Sequence, residues 1–167
     1  MPHLTIEYSA NLESRGDLPG LCLTLRGALL ATGLFEEGAV RVRAIPCPHY
    51  AVADLLPENA FAALLLRIGA GRSAEEKKRL GAAVMEAAEA HFAAHLARPH
   101  FALSLDLVEN DPALSWKTNA IHPRLRAPRR PLGPALSAHP PHYVGAWRAG
   151  NAPTSSADGA TPVKTSA

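Results

Sequence analysis

A strand–helix–strand pattern occurs twice along this chain, in units of about 60 residues, and this repeat constrains the fold more than any other feature. Leu4, Ile6 and Tyr8 alternate with polar positions over 3–8, the signature of a half-buried strand. Ser9–Gly16 reads as a polar connection. Asp17-Leu-Pro19 is a helix start, with an acid as cap and a proline in the first turn. Leu21, Leu25, Ala28, Leu29 and Thr32 recur at helical spacing, and Gly33 is a suitable stop. Val40–Ile45 is the second strand, with Val40, Val42 and Ala44 on one face and Arg41, Arg43 and Ile45 on the other. The second unit begins at Phe61–Ile68, a short apolar run ahead of Gly69-Ala-Gly71. Ser73-Ala-Glu-Glu76 is a capping box, in which Ser73 accepts from the third helical N–H and Glu76 reaches back to the cap. The helix is expected to run to about Ala97, with Val84, Ala88, Phe92 and Leu96 as its buried stripe, until Pro99 ends it. Phe101–Val108 alternates again and makes a fourth strand.

Each unit fits a right-handed βαβ crossover, which makes its two strands parallel. The expected fold class is therefore α/β (α+β), a two-layer sandwich with a four-stranded sheet and two helices on one face. The other face is left uncovered. Strands as apolar as Phe61–Ile68 predict that a second subunit covers it.

Charge and composition separate a body from a tail. Residues 126–167 carry Arg126, Arg129, Arg130, Arg148 and Lys164 against the single acid Asp158, and they hold 7 of the 15 prolines. Residues 1–125 carry a net −2. The expected domains are thus 1–125 and a basic, Pro/Ala-rich, disordered tail over 126–167. Tyr143–Trp147 is the tail's one sticky patch, a candidate docking motif. An acidic body is a poor nucleic-acid binder. The longest apolar run, Ala60–Leu66, is far short of the ~20 residues of a membrane span. Cys22 and Cys47 make neither a disulfide framework nor a zinc site, and they fit a reducing cytoplasm.

Phosphate-cradling and serine-nucleophile motifs are missing. Gly69-Ala-Gly71 is a lone fragment of a dinucleotide fingerprint. His91 and His95 lie four apart on a helix but lack a third ligand, so no metal site is expected. What is present is Pro2. A small residue after the initiator methionine normally allows that methionine to be removed, which would leave a secondary amine at the terminus. An α-amino group titrates near 7.7–8.0, and burial or a nearby cation lowers that value. Such an amine is a good general base near neutrality. A strand that begins at residue 3 holds it rigidly. Arg41 and Arg43 share one strand face, and Arg72 precedes the second helix. Together these describe a base flanked by carboxylate clamps.

Several segments carry a family resemblance. They are the Met-Pro-His-Leu-Thr-Ile-Glu-Tyr-Ser-Ala-Asn-Leu start, Ala-Thr-Gly-Leu-Phe at 31–35, Val-Arg-Val-Arg at 40–43, Arg-Ile-Gly-Ala-Gly-Arg-Ser at 67–73 and Trp-Lys-Thr-Asn-Ala-Ile-His at 116–122. Over about residues 2–125 the chain resembles the 5-carboxymethyl-2-hydroxymuconate Δ-isomerase family of the tautomerase superfamily. The resemblance implies a homotrimer with a cofactor-free, metal-free site. In it Pro2 is the base, Arg41 and Arg72 are catalytic, and His3 and Arg43 line the substrate site. The implied reaction converts a carboxylated 2-hydroxydienoate to a 2-oxo-alkenoate in the catabolism of homoprotocatechuate. Residues 44–60 depart from the family pattern and are expected to bear on the pocket. Another 2-hydroxydienoate or a phenylenolpyruvate is then an alternative substrate. A non-catalytic trimeric scaffold with a partner-binding tail is the alternative of a different class.

Overall fold

The structure is a computed structural model and describes residues 1–127; the readings made above for the tail from 128 onward lie outside the described residues. Four strands form one sheet in the order β2-β1-β3-β4: β1 (His3–Ser9), β2 (Arg41–Cys47), β3 (Ala60–Gly69) and β4 (Phe101–Asn110). β1 runs parallel to β2 and β3 parallel to β4, as the crossover rule requires. The two units meet along an antiparallel seam in which His3 faces Arg67 and Tyr8 faces Ala62.

Helices α1 (Leu18–Ala31) and α2 (Ala74–His91) cover one face of this sheet. Leu4, Ile6, Leu64, Leu66 and Ile68 from the two central strands pack against Leu21, Leu25 and Leu29 of α1 and Leu80, Val84 and Ala88 of α2. All of these are at most 2% exposed, so alternate strand positions and one stripe of each helix make a single core. The two-layer sandwich with its helices on one side is borne out.

The helix starts follow their sequence signals. The Asp17 carboxylate accepts from Gly20 N–H at 3.1 Å. A Cβ on Gly20 would come within 2.1 Å of that carboxylate, so this cap requires glycine there. Ser73 and Glu76 form the reciprocal capping box, at 3.1 and 2.9 Å. α1 ends at Thr32, and Gly33 turns the chain at φ +71°.

Three local expectations need correction. Ser9–Gly16 is not simply a polar connection: Ala10–Leu12 forms a 3₁₀ turn whose Leu12 is fully buried in the core. The second helix does not run unbroken to Ala97. Phe92, at φ −94° and ψ 17°, breaks it, and a four-residue helix α3 (Ala93–Leu96) follows. The break keeps the Phe92 ring buried against Phe101 (centroids 4.8 Å apart) and changes the helical phase, so Leu96 turns outward and is 41% exposed. Finally, a short helix α4 (Ile121–Arg126) ends on Arg126, which composition had assigned to the tail. Its guanidinium makes a forked contact with Glu36 at 2.6–3.0 Å.

The uncovered face presents Phe61, Ala63 and Leu65 of β3, partly exposed, and Ile45 and Val108, each more than two-fifths exposed, between the outward-facing polar side chains. No helix of the described residues is long and apolar enough to cross a membrane.

Candidate active site

Pro2 is buried at the head of β1, and its carbonyl accepts from Arg41 N–H at 3.2 Å. Because β2 is parallel to β1 and β3 antiparallel to it, this end of the sheet gathers the start of β2 and the finish of β3. Arg41 faces His3 across one strand pair, and Arg67 faces His3 across the other. The turn after β3 then delivers Arg72. Gly71, at φ +101°, supplies a conformation that side chains with a Cβ rarely adopt.

The Arg72 guanidinium donates to the carbonyls of Gly69 at 2.9 Å and Leu34 at 3.2 Å and lies 4.6 Å over the Phe35 ring. Two backbone carbonyls and a ring fix it without neutralising it, and its Nε is buried with no partner. Arg41 Nη1 donates to Ala39 O at 3.0 Å and touches the Met1 thioether at 3.2 Å.

The amino terminus of the chain sits among these groups. Burial lowers its basicity first, and the charges of Lys117, Arg72 and Arg41 lower it further. His3 is likewise held below the usual imidazole range by burial, by Arg41 and Arg43, and then by the terminus and Lys117. The only ion pairs among the described residues are Arg26–Glu37, Lys77–Glu109 and the Glu36 pairs with His122 and Arg126. Arg41, Arg43, Arg67, Arg72 and Lys117 therefore gather toward one end of the sheet with no carboxylate in ion-pair contact, the nearby Glu36, Glu37 and Glu109 being paired elsewhere. An unneutralised cation cluster of this kind attracts anions and favours a neutral amine.

Of the five residues selected from the sequence, Pro2, Arg41 and Arg72 come together around the terminus. His3 and Arg43 lie on the open face of the sheet beside it. Two neighbours were missed. Lys117 is the strongest of the three charges acting on the terminus. Asn119 donates to Gly38 O at 2.9 Å and contacts the Met1 thioether at 3.4 Å. Both stand in the Trp-Lys-Thr-Asn stretch at 116–119, which carried family resemblance but no assigned role. Of residues 44–60, expected to bear on the pocket, 44–47 finish β2, Ala60 opens β3, and the loop 48–59 between them lies at the other end of the sheet. β2 ends opposite Ser9 and β3 begins near Tyr8, so within one chain that loop lines a separate cavity of about 280 Å³. Among the described residues no group of three His, Cys, Asp or Glu could hold a metal ion. His91 and His95 instead flank Phe92 edge-on, at 5.2 and 5.5 Å between centroids.

Comparison with known proteins identifies relatives of this chain. The 5-carboxymethyl-2-hydroxymuconate isomerase family matches residues 2–125. An Escherichia coli 5-carboxymethyl-2-hydroxymuconate Delta-isomerase is 36% identical over 122 residues, covering 73% of this chain and 97% of the relative. The crystal structure of a 5-carboxymethyl-2-hydroxymuconate isomerase from Deinococcus radiodurans R1 superposes with a TM-score of 0.70 at 44% identity, covering 75% of this chain and 94% of that one. A second crystal structure, of a 5-carboxymethyl-2-hydroxymuconate delta-isomerase, gives a TM-score of 0.71 at 31% identity over 78% and 96% of the two chains. The matched span begins at Pro2 and runs through both βαβ units to Leu125, and on that footing the chain belongs to the 5-carboxymethyl-2-hydroxymuconate isomerase family.

Proposed function

We propose that the chain, once Met1 is removed, isomerises a carboxylated 2-hydroxydienoate to its 2-oxo form, with the Pro2 nitrogen as the base. The observation that carries this reading is the terminus itself. It is partly buried, and the charges of Lys117, Arg72 and Arg41, none of them in an ion pair, act on it together. Pro2 nitrogen is one residue inward, in a buried residue; once Met1 is removed the same cations and burial favour its neutral form.

Neutral Pro2 accepts the proton of the substrate 2-hydroxyl. The O–H bonding pair becomes the second C–O bond of the 2-oxo group, and the conjugated double bonds shift outward. The far carbon of the diene takes the proton back from the prolyl ammonium. Every atom is retained and no redox change occurs. Negative charge spreads over the 2-oxygen and the neighbouring carboxylate in transit. Arg41 and Arg72 stabilise it as fixed cations already oriented by backbone carbonyls. Arg43 extends the positive surface along the open face toward the substrate's remaining carboxylate, and His3, whose neutral form is favoured, lies beside it as a hydrogen-bonding group.

The same reading assigns the uncovered sheet face to subunit packing in a homotrimer. Half-exposed Phe61, Leu65, Ile45 and Val108 support it, since a sheet with one apolar face unburied gains by association. The test combines intact mass with dienol turnover followed by ultraviolet absorbance. The expected protein lacks Met1, turns over a 2-hydroxydienoate, and loses that activity in Pro2→Ala. Retention of Met1 in active protein, or full turnover by Pro2→Ala, overturns the reading.

A further inference from the structure

We propose that Asn119 is a substrate-binding residue that forms, with Arg41, a two-donor hole for the 2-oxygen of the dienol. The inference rests on the reading of Pro2 as the base and extends it to a residue with no assigned role.

The Met1 thioether marks the position. Arg41 Nη1 and Asn119 Nδ2 both approach Met1 Sδ, at 3.2 and 3.4 Å. Sulfur is a weak acceptor, and the residue that carries it is bonded to the nitrogen proposed to take the proton. Removal of Met1 empties that point and leaves two N–H donors aimed at it, one charged and one neutral. An oxygen there sits beside the base and accepts from both.

Asn119 is built to hold one donor free. Its carboxamide has two N–H groups and one oxygen. One N–H donates to Gly38 O at 2.9 Å, and Oδ1 accepts from Ile121 N–H at 2.8 Å at the start of α4. These partners fix which end is nitrogen, because a flipped amide would set oxygen against the Gly38 carbonyl. The second N–H has only the thioether. The segment behind it is seated as well. A Cβ on Gly38 would come within 3.1 Å of His122 Nδ1 and 3.3 Å of Leu125, so the approach of α4 to this turn depends on glycine. A donor held this way needs no rearrangement as charge develops on the oxygen.

Carboxylates already have other partners here. Arg72 and Lys117 supply positive charge around the terminus, whereas an amide adds a directional hydrogen bond and no charge. Asn119 therefore distinguishes a 2-oxygen from its absence, and the cations recognise the acid groups.

The test uses two linear dicarboxylate inhibitors that differ only by a 2-oxo group. The expected protein binds the 2-oxo compound more tightly. Asn119→Ala should lose about tenfold or more of that preference while binding the plain dicarboxylate as before, and its kcat/KM should fall about 10–100-fold. The acid limb of its pH profile should stay in place, because asparagine is uncharged. Asn119→Ser is uncharged, keeps an acceptor for Ile121 N–H and is too short to reach the oxygen's position, and should lose the preference likewise even if the alanine variant folds poorly. Equal weakening of both inhibitors, with the preference intact, shows a displaced segment and overturns the proposal. So does an unchanged kcat/KM. Full turnover by Pro2→Ala instead overturns the underlying assignment of the base.

Discussion

The two ends of the β1–β3 seam have the same backbone plan and opposite chemistry. At one end Pro2 precedes His3, which faces Arg41; at the other Asn59 precedes Ala60, which faces Phe101. Arg72 follows β3 at the first end, and Arg15 follows β1 at the second. The Asn59 end is closed by polar groups that satisfy one another. Ser9 Oγ donates to Asn11 Oδ1 at 2.8 Å and accepts from Phe61 N–H at 3.0 Å. Asn11 donates to Asn59 O at 2.9 Å and Pro57 O at 3.1 Å. The Asn59 amide, 6% exposed as a residue, donates to Val52 O and Asp54, and its Oδ1 meets His100 Nδ1 at 3.2 Å. In the nearby cavity of about 250 Å³, ringed by Arg15, Arg98, His95 and His100, Arg15 donates to the backbone carbonyl of Glu58 at 3.3 Å. At the Pro2 end Arg41, Arg72 and Lys117 instead act together on a partly buried terminus and make no ion pair. Polar groups paired with one another serve stability, and cations gathered on an amine are the pattern expected of a reacting site.

Substitutions that respect or ignore this division sharpen the contrast. The largest effect is expected from Pro2→Ala, with a loss of 10²–10⁴-fold in kcat/KM, the scale of a lost general base. Circular dichroism should show an unchanged fold. Next, Arg72→Ala should cost about 1.5–3 kcal/mol in kcat/KM toward dicarboxylates, measured by steady-state turnover, as a charge-assisted contact is removed. Asn59→Ala should act in the other currency. Denaturant melts should show a loss of about 1–3 kcal/mol of stability, with kcat/KM of the folded protein unchanged. A drop in kcat/KM of the size seen for Arg72→Ala would dissolve the distinction between the ends. Lys117→Ala removes the strongest cation acting on the terminus, so the amine should become more basic. The neutral amine is the active form and rate is lost as pH falls through its pKa. The acid limb of kcat/KM must therefore move to higher pH. The smallest effect is expected from ending the chain after Ala127, which keeps the Arg126–Glu36 clasp and should leave turnover as it was.

Much of this was legible in the sequence, for identifiable reasons. Alternation in β1 and β4, the Asp17 cap and the Ser73–Glu76 box are local signals, and each produced the expected element. The parallel pairing within each unit followed from crossover handedness. The antiparallel seam did not, because nothing local encodes how two units meet. That seam decides which groups share an end of the sheet, so it also hid that, within one chain, the loop in residues 44–60 lies at the end away from Pro2. The break at Phe92 depends on Phe101, a tertiary partner that helical spacing cannot reveal. Lys117 and Asn119 escaped for a related reason. They sit in a segment with no regular structure, and only its seating on Gly38 brings them to the terminus.

The seam has a consequence for how such a chain can change over time. A polypeptide has a single beginning, so of its two matching strand heads only one can expose a nitrogen with a lone pair. The other is locked into an amide: Ala60 N–H donates to His100 O at 2.9 Å. The second half supplies Arg72, Lys117 and Asn119 around the terminus but no terminal amine of its own. Its strand head can therefore change without regard to an exposed nitrogen, whereas the first is bound to the geometry of its opening residue.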